Sequence, residues 1–93
     1  MKFRGRKSTV DAVPASEAIR AAERDWSALP WWLADAYDTG DVVFAPDEVR
    51  VITQRGRVQA RVGDWILRTE RNRLSVCPGV EFRRDYQPAE AQA

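Results

Sequence analysis

Histidine is missing from all 93 residues of this chain. Its absence removes the commonest general base and the commonest zinc ligand. Cys77 is the single cysteine, so neither an intrachain disulfide nor a cysteine-based metal cluster can form. Asp, Glu, Arg and Tyr remain for catalysis, but the usual hydrolase constellations do not, and the chain reads as a non-enzyme with no cofactor and no metal. No apolar run approaches the roughly 20 residues that span a bilayer. The basic start Met1-Lys2-Phe3-Arg4-Gly5-Arg6-Lys7 is followed by no apolar signal core. The expectation is a soluble intracellular protein with no membrane partner. Lysine is scarce as well: of the 15 cations only Lys2 and Lys7 are lysines. Arginine's planar fork suits phosphate or carboxylate better than an ammonium does, although a GC-rich genome would produce the same bias.

What is present is one small domain, residues 1–93, with 44% apolar residues and four tryptophans to fill a modest core. Charge is unevenly spread. From Asp11 to Glu48 nine acids face only Arg20 and Arg24, whereas from Arg50 to Arg73 seven arginines face only Asp64 and Glu70. The helical part is acidic and the strand part basic.

Alternation and β-branching over Ser8–Val13 predict a first strand, stopped by Pro14. Ser16 is the expected N-cap of a helix from Glu17 to about Trp26, with Ile19, Ala22 and Trp26 near one face. Leu29-Pro30 restarts a second helix, Trp31–Tyr37, with Pro30 at its first position and Gly40 at its left-handed end. Trp32, Leu33 and Ala36 make its buried stripe. Two adjacent tryptophans cannot both enter one small core, and Trp31 is the one to release to a surface. Beyond Asp41 the pattern becomes β: Val42–Phe44, Glu48–Thr53, Arg57–Val62, Trp65–Arg68 and Leu74–Cys77 in a meander. Gln54-Arg55-Gly56, Gly63-Asp64 and Glu70-Arg71-Asn72 form its turns. Val80–Tyr86 is short and mixed, and residues 88–93 form a frayed tail. The fold class is α+β, a small antiparallel sheet or partly closed barrel with two short helices inserted after the first strand.

The elements Met1-Lys2-Phe3-Arg4, Leu29-Pro30-Trp31-Trp32-Leu33, Val62-Gly63-Asp64-Trp65-Ile66-Leu67 and Val76-Cys77-Pro78, then Phe82 and Tyr86-Gln87-Pro88, follow in that order over nearly the whole chain. In order and spacing the chain resembles a widespread family of short proteins of tailed phages and prophages. The resemblance implies a small α+β fold and a phage setting in the host cytoplasm, and it transfers no active site. Two departures stand out. A glycine-rich turn has become Thr69-Glu70-Arg71-Asn72, and an acidic turn has become Gln54-Arg55-Gly56-Arg57. Both add arginine.

The candidate ligand-binding residues are Arg55, Arg57, Arg61, Arg68 and Arg73, with Trp31 as a stacking partner. Arg55, Arg57 and Arg61 fall on one face by the two-residue period, and Arg68 and Arg73 flank the next hairpin. Such a face would grip phosphates and lose affinity as salt rises. The same arginines would serve as a solvated face neutralised by acids of the helices. Two functions follow. One is a counter-defence protein that sequesters an anionic, nucleotide-like small molecule without turnover, helped by homo-oligomerisation. The alternative is an anti-CRISPR-like inhibitor that docks on a host defence protein through Asp35, Asp38 and Asp41. A virion accessory role is a third reading. Cys77 is expected to be a small buried hydrophobe.

Overall fold

The computed structural model describes residues 2–5 and 9–88. Its elements are β1 (Lys2–Arg4), β2 (Thr9–Pro14), α1 (Ala15–Arg24), a 3-10 turn (Trp26–Ala28) and α2 (Trp31–Asp38). There follow β3 (Val42–Phe44), β4 (Glu48–Thr53), β5 (Gly56–Arg61), β6 (Asp64–Arg68), β7 (Leu74–Pro78), α3 (Gly79–Asp85) and β8 (Gln87–Pro88). The architecture is α+β and built on two open antiparallel sheets, one in the order β7-β6-β2-β1-β8 and the other β3-β4-β5.

Period-two alternation sorts each strand onto two faces. In β4 and β5, Val49, Val51 and Ala60 point inward and are fully buried. In β2 and β6, Val13 and Ile66 face the same main core, while Val10, Ala12 and Leu67 face the other side. Helix α1 packs between the sheets, touching β2 and β6 of one and β4 and β5 of the other. Its Ala15, Ala18, Ile19 and Ala21 join Trp32, Leu33 and Ala36 of α2 in the main core. Burying a side chain such as Leu33 or Ile66 stabilises the fold by about 1.5–3 kcal/mol. A second, smaller core lies on the opposite face of the five-stranded sheet. There α3 covers Phe3, Val10, Ala12 and Leu67 with Phe82.

Several expectations are corrected. The strand expected first is the second: Lys2–Arg4 precedes it as a strand that pairs with β2 on one side and β8 on the other, because Phe3 inserts into the smaller core. Arg6, Lys7 and Ser8 lie outside the described residues, as do Ala89–Ala93 of the expected tail. Helix α1 begins at Ala15 with Pro14 as its N-cap rather than Ser16, and ends at Arg24. Trp26 opens the 3-10 turn, capped by Asp25 accepting from the Ser27 N–H. Pro30 is the N-cap of α2, not its first residue. Val80–Tyr86 is largely helical. The strands after Asp41 form no single meander, since the chain changes sheet at Val62-Gly63 and leaves Val62 exposed. Gly63 makes this change with a positive φ of 102°, a conformation cheap only for glycine. The turn is tied by the Arg61 N–H donating to the Asp64 carboxylate at 2.9 Å.

Candidate functional site

The change of sheet separates the arginines into three groups. Arg57 and Arg61 stand with Arg50 on the outer face of β4 and β5, where Arg57 is opposite Ile52 and Arg61 opposite Glu48. Arg50 Nε pairs with Glu48 Oε2 at 2.9 Å, and Arg61 Nη2 donates to Gln59 Oε1 at 3.3 Å. Arg55 is not on that strand face. It sits at the tip of the β4–β5 hairpin, its N–H donating to Thr53 Oγ1.

Arg73 belongs with Arg55. The β4–β5 tip and the β6–β7 turn bound a cleft of about 690 Å³, and Arg55, Arg71 and Arg73 all line it. Its apolar lining comes from Val58, Leu74 and Val76, and its rim carries Thr53, Thr69 and Glu70. The β6–β7 turn is closed by the Thr69 N–H donating to Arg73 O and the Asn72 N–H donating to Thr69 O, both at 2.9 Å. Asn72 takes φ +60°. Asparagine tolerates this left-handed position, so it fills the role glycine would have. Glu70 Oε1 accepts from the Thr9 N–H at 3.4 Å.

Arg68 goes to a third place. Asp11 in β2 is the register partner of Lys2 in β1 and of Arg68 in β6. Asp11 is only 9% exposed, with Arg68 Nε at 3.0 Å from Oδ2 and Lys2 Nζ at 3.1 Å from Oδ1. Burial pushes this carboxyl upward, but hydrogen bonds from Arg68 and Lys2 and their charges outweigh it and hold the carboxyl below its usual range. The Arg68 guanidinium lies over the Trp31 ring, 4.6 Å from its centroid. Arg68 is thus committed to an internal pair and a stacking contact, and it does not share a face with Arg57 and Arg61.

The tryptophans divide in the same way. Trp32 is buried. Trp65 stacks on Phe82 at 3.9 Å in the smaller core. Trp26 meets Tyr37 and Phe44 edge-on at the surface. Trp31 is 66% exposed. Asp35 and Asp41 line a depression of about 190 Å³ beside Trp31, whereas Asp38 is exposed and does not line it. Thr39 Oγ1 donates to Asp41 Oδ2 at 3.2 Å. Cys77 is half-buried rather than fully enclosed, and burial, then Glu81 and Asp85, push its thiol upward.

Acids of the helices do not neutralise the strand arginines. Among the described residues, Arg55, Arg57, Arg71 and Arg73 form no ion pair and no side-chain hydrogen bond. Arg71 lines the cleft with Arg55 and Arg73; in the sequence it stands among the seven arginines of Arg50–Arg73 and in the turn Glu70-Arg71-Asn72, but nothing local shows that this turn meets Arg55. Comparison with protein-family models, curated proteins and solved structures returns no match.

Proposed function

We propose that the protein binds and sequesters an anionic, nucleotide-type ligand at the cleft between the β4–β5 tip and the β6–β7 turn. One observation carries this reading: Arg55, Arg71 and Arg73 converge from two separate turns on a single cleft, and among the described residues no carboxylate is paired to them. Three guanidiniums against the single carboxylate of Glu70 leave the cleft cationic, and each presents a fork that two phosphate oxygens can occupy. Val58, Leu74 and Val76 offer apolar surface to the rest of the ligand, the combination usual in small-molecule sites. Guanidiniums are permanent donors that neither attack nor accept a proton, which supports holding over turnover. The phage resemblance supplies the setting, counter-defence in the host cytoplasm by withdrawing an anionic signal.

Pyrophosphate is the simplest probe. Isothermal titration at low salt should show binding that Arg73→Ala or Arg71→Ala weakens tenfold or more, about 1.4 kcal/mol. Arg57→Ala and Arg61→Ala, outside the cleft, should change it less than threefold. Affinity should fall steeply as salt rises. Absence of any binding at low salt overturns the reading.

A second reading, docking on a host defence protein, draws on the exposed Asp35 and Asp38 of α2, which also form no ion pair among the described residues. Asp38→Lys would abolish that docking and leave pyrophosphate binding intact.

A further inference from the structure

The arginine cleft continues past the β6–β7 turn. Leu74 lines both the cleft and the depression beside Trp31, and the turn residues between them divide: Arg71 and Arg73 line the cleft, Asn72 the depression. A ligand of nucleotide length could therefore reach across one turn from guanidiniums to an aromatic wall.

That wall is suited to stacking. Trp31 is two-thirds exposed although Trp32 and Leu33 beside it fill the core. It is nonetheless held, because Arg68 lies against its ring and is itself fixed by Asp11 and by Asn72 Oδ1 at 3.4 Å. An exposed indole that keeps its orientation is a platform on which a flat base stacks at low entropic cost.

The polar groups around the platform specify which base. The Asp35 carboxylate makes no hydrogen bond or ion pair among the described residues, and Asp41 spends one oxygen on Thr39. Both can only accept. Asn72 uses its Oδ1 on Arg68, which leaves its NH2 to donate. Acceptors beside a donor match the edge of guanine, whose N1–H and N2–H2 donate next to an accepting O6. Adenine opposes them, since its ring N1 would set a lone pair against a carboxylate. Resting on the reading of the cleft as a phosphate site, we propose that the Trp31 depression is the base subsite of the same ligand and selects guanine. The base stacks on Trp31 with Asp35, Asp41 and Asn72 reading its edge, and the phosphate lies across the turn at Arg71 and Arg73.

The test titrates the full chain with GMP, AMP and ribose 5-phosphate, by calorimetry and by quenching of tryptophan emission. GMP should bind at least tenfold more tightly than AMP. Asp35→Asn, on an exposed helical face, should bring GMP to the level of AMP while AMP and ribose 5-phosphate stay within twofold, with an unchanged melting temperature showing that the fold is intact. Arg73→Ala should weaken all three alike. Equal affinity for GMP and AMP, or an Asp35→Asn loss shared by both, overturns the guanine subsite and leaves the phosphate reading standing when ribose 5-phosphate still binds. Failure of all three to bind while pyrophosphate binds overturns the guanine subsite alone, and failure of pyrophosphate as well overturns both.

Discussion

Asp11 lies on β2 with a cation on each neighbouring strand, and its three-way pairing is the main polar contact inside the five-stranded sheet. The two cations are unequal. Lys2 keeps 58% of its side chain in solvent, Arg68 only 17%, so screening weakens the first and the second dominates. Removing the carboxylate would leave Arg68 charged and partly buried with only the long contact to Asn72 Oδ1 and the Trp31 ring, which costs more than the pair itself contributes. Asp11→Asn should therefore destabilise the protein at neutral pH by about 2 kcal/mol. The folded carboxyl is held below the ordinary carboxylate range, so as pH falls the unfolded chain takes up its proton first. The pair's contribution is complete above the unfolded value and is lost as pH falls through the folded one. Urea unfolding at pH 7 and near pH 3 should show the gap between wild type and Asp11→Asn narrowing at the lower pH. A gap of equal size at both would mean that Asp11 acts by packing and not by charge. The same substitution loosens Arg68 beneath Trp31, so the tryptophan emission should shift as well.

At the scale of elements, the junction of β7 with α3 depends on one close approach. Gly79 starts α3 directly against the Gly63 carbonyl oxygen, and a Cβ there would clash with that backbone atom. Neither partner is the flexible end of a side chain, so relief requires moving the β5–β6 turn or the helix. Gly79→Ala should cost about 1–3 kcal/mol despite its better helix propensity, and thermal unfolding would show it; a higher melting temperature would refute the clash. This contact also marks the limit of what the sequence discloses. Alternation in Arg57–Val62 showed which β5 residues face solvent, and Gly63-Asp64 and Glu70-Arg71-Asn72 announced their turns, because these signals are local. Choice of strand partner is not local. Nothing in Val62-Gly63 distinguishes a hairpin from a step between sheets, and the step removed Arg68 from the face of Arg57 and Arg61. Lys2-Phe3-Arg4 is too short to carry a period, so β1 became visible only through its neighbours. In the candidate site, Trp31's exposure followed from its buried neighbour Trp32, whereas the meeting of Arg55 with Arg73 required two turns distant in sequence to approach.

Over the whole molecule, the five-stranded sheet separates two apolar layers of very different strength. The main core draws on α1, α2 and both sheets, with Leu33, Val49 and Ile66 wholly enclosed. Among the described residues the smaller one is closed by α3 and Tyr86, with Phe82 stacked between Trp65 at 3.9 Å and Tyr86 at 5.1 Å. Helix α3 has seven residues and is followed by a two-residue strand, far below the length at which a helix holds itself in water. Its stability comes from Phe82 and the rings around it. Detaching α3 and β8 would expose the smaller layer and leave the main core closed, so these elements should open together at a lower free energy than β4 or β6. Phe82→Ala, expected to cost about 3–5 kcal/mol, should release them almost completely. The cleft and the Trp31 depression are lined by the β4–β5 and β6–β7 turns, the adjoining residues of β5 and β7, and α2 with the turn after it, and no residue of α3 is among those lining them. Amide exchange should therefore find the Tyr86 N–H, which donates to Phe82 O, far less protected than the Ile66 N–H. In Phe82→Ala that difference should widen while pyrophosphate affinity stays within about threefold. Equal protection at Tyr86 and Ile66 would show the two layers unfolding as one, and the separation of scaffold from site would fail with it.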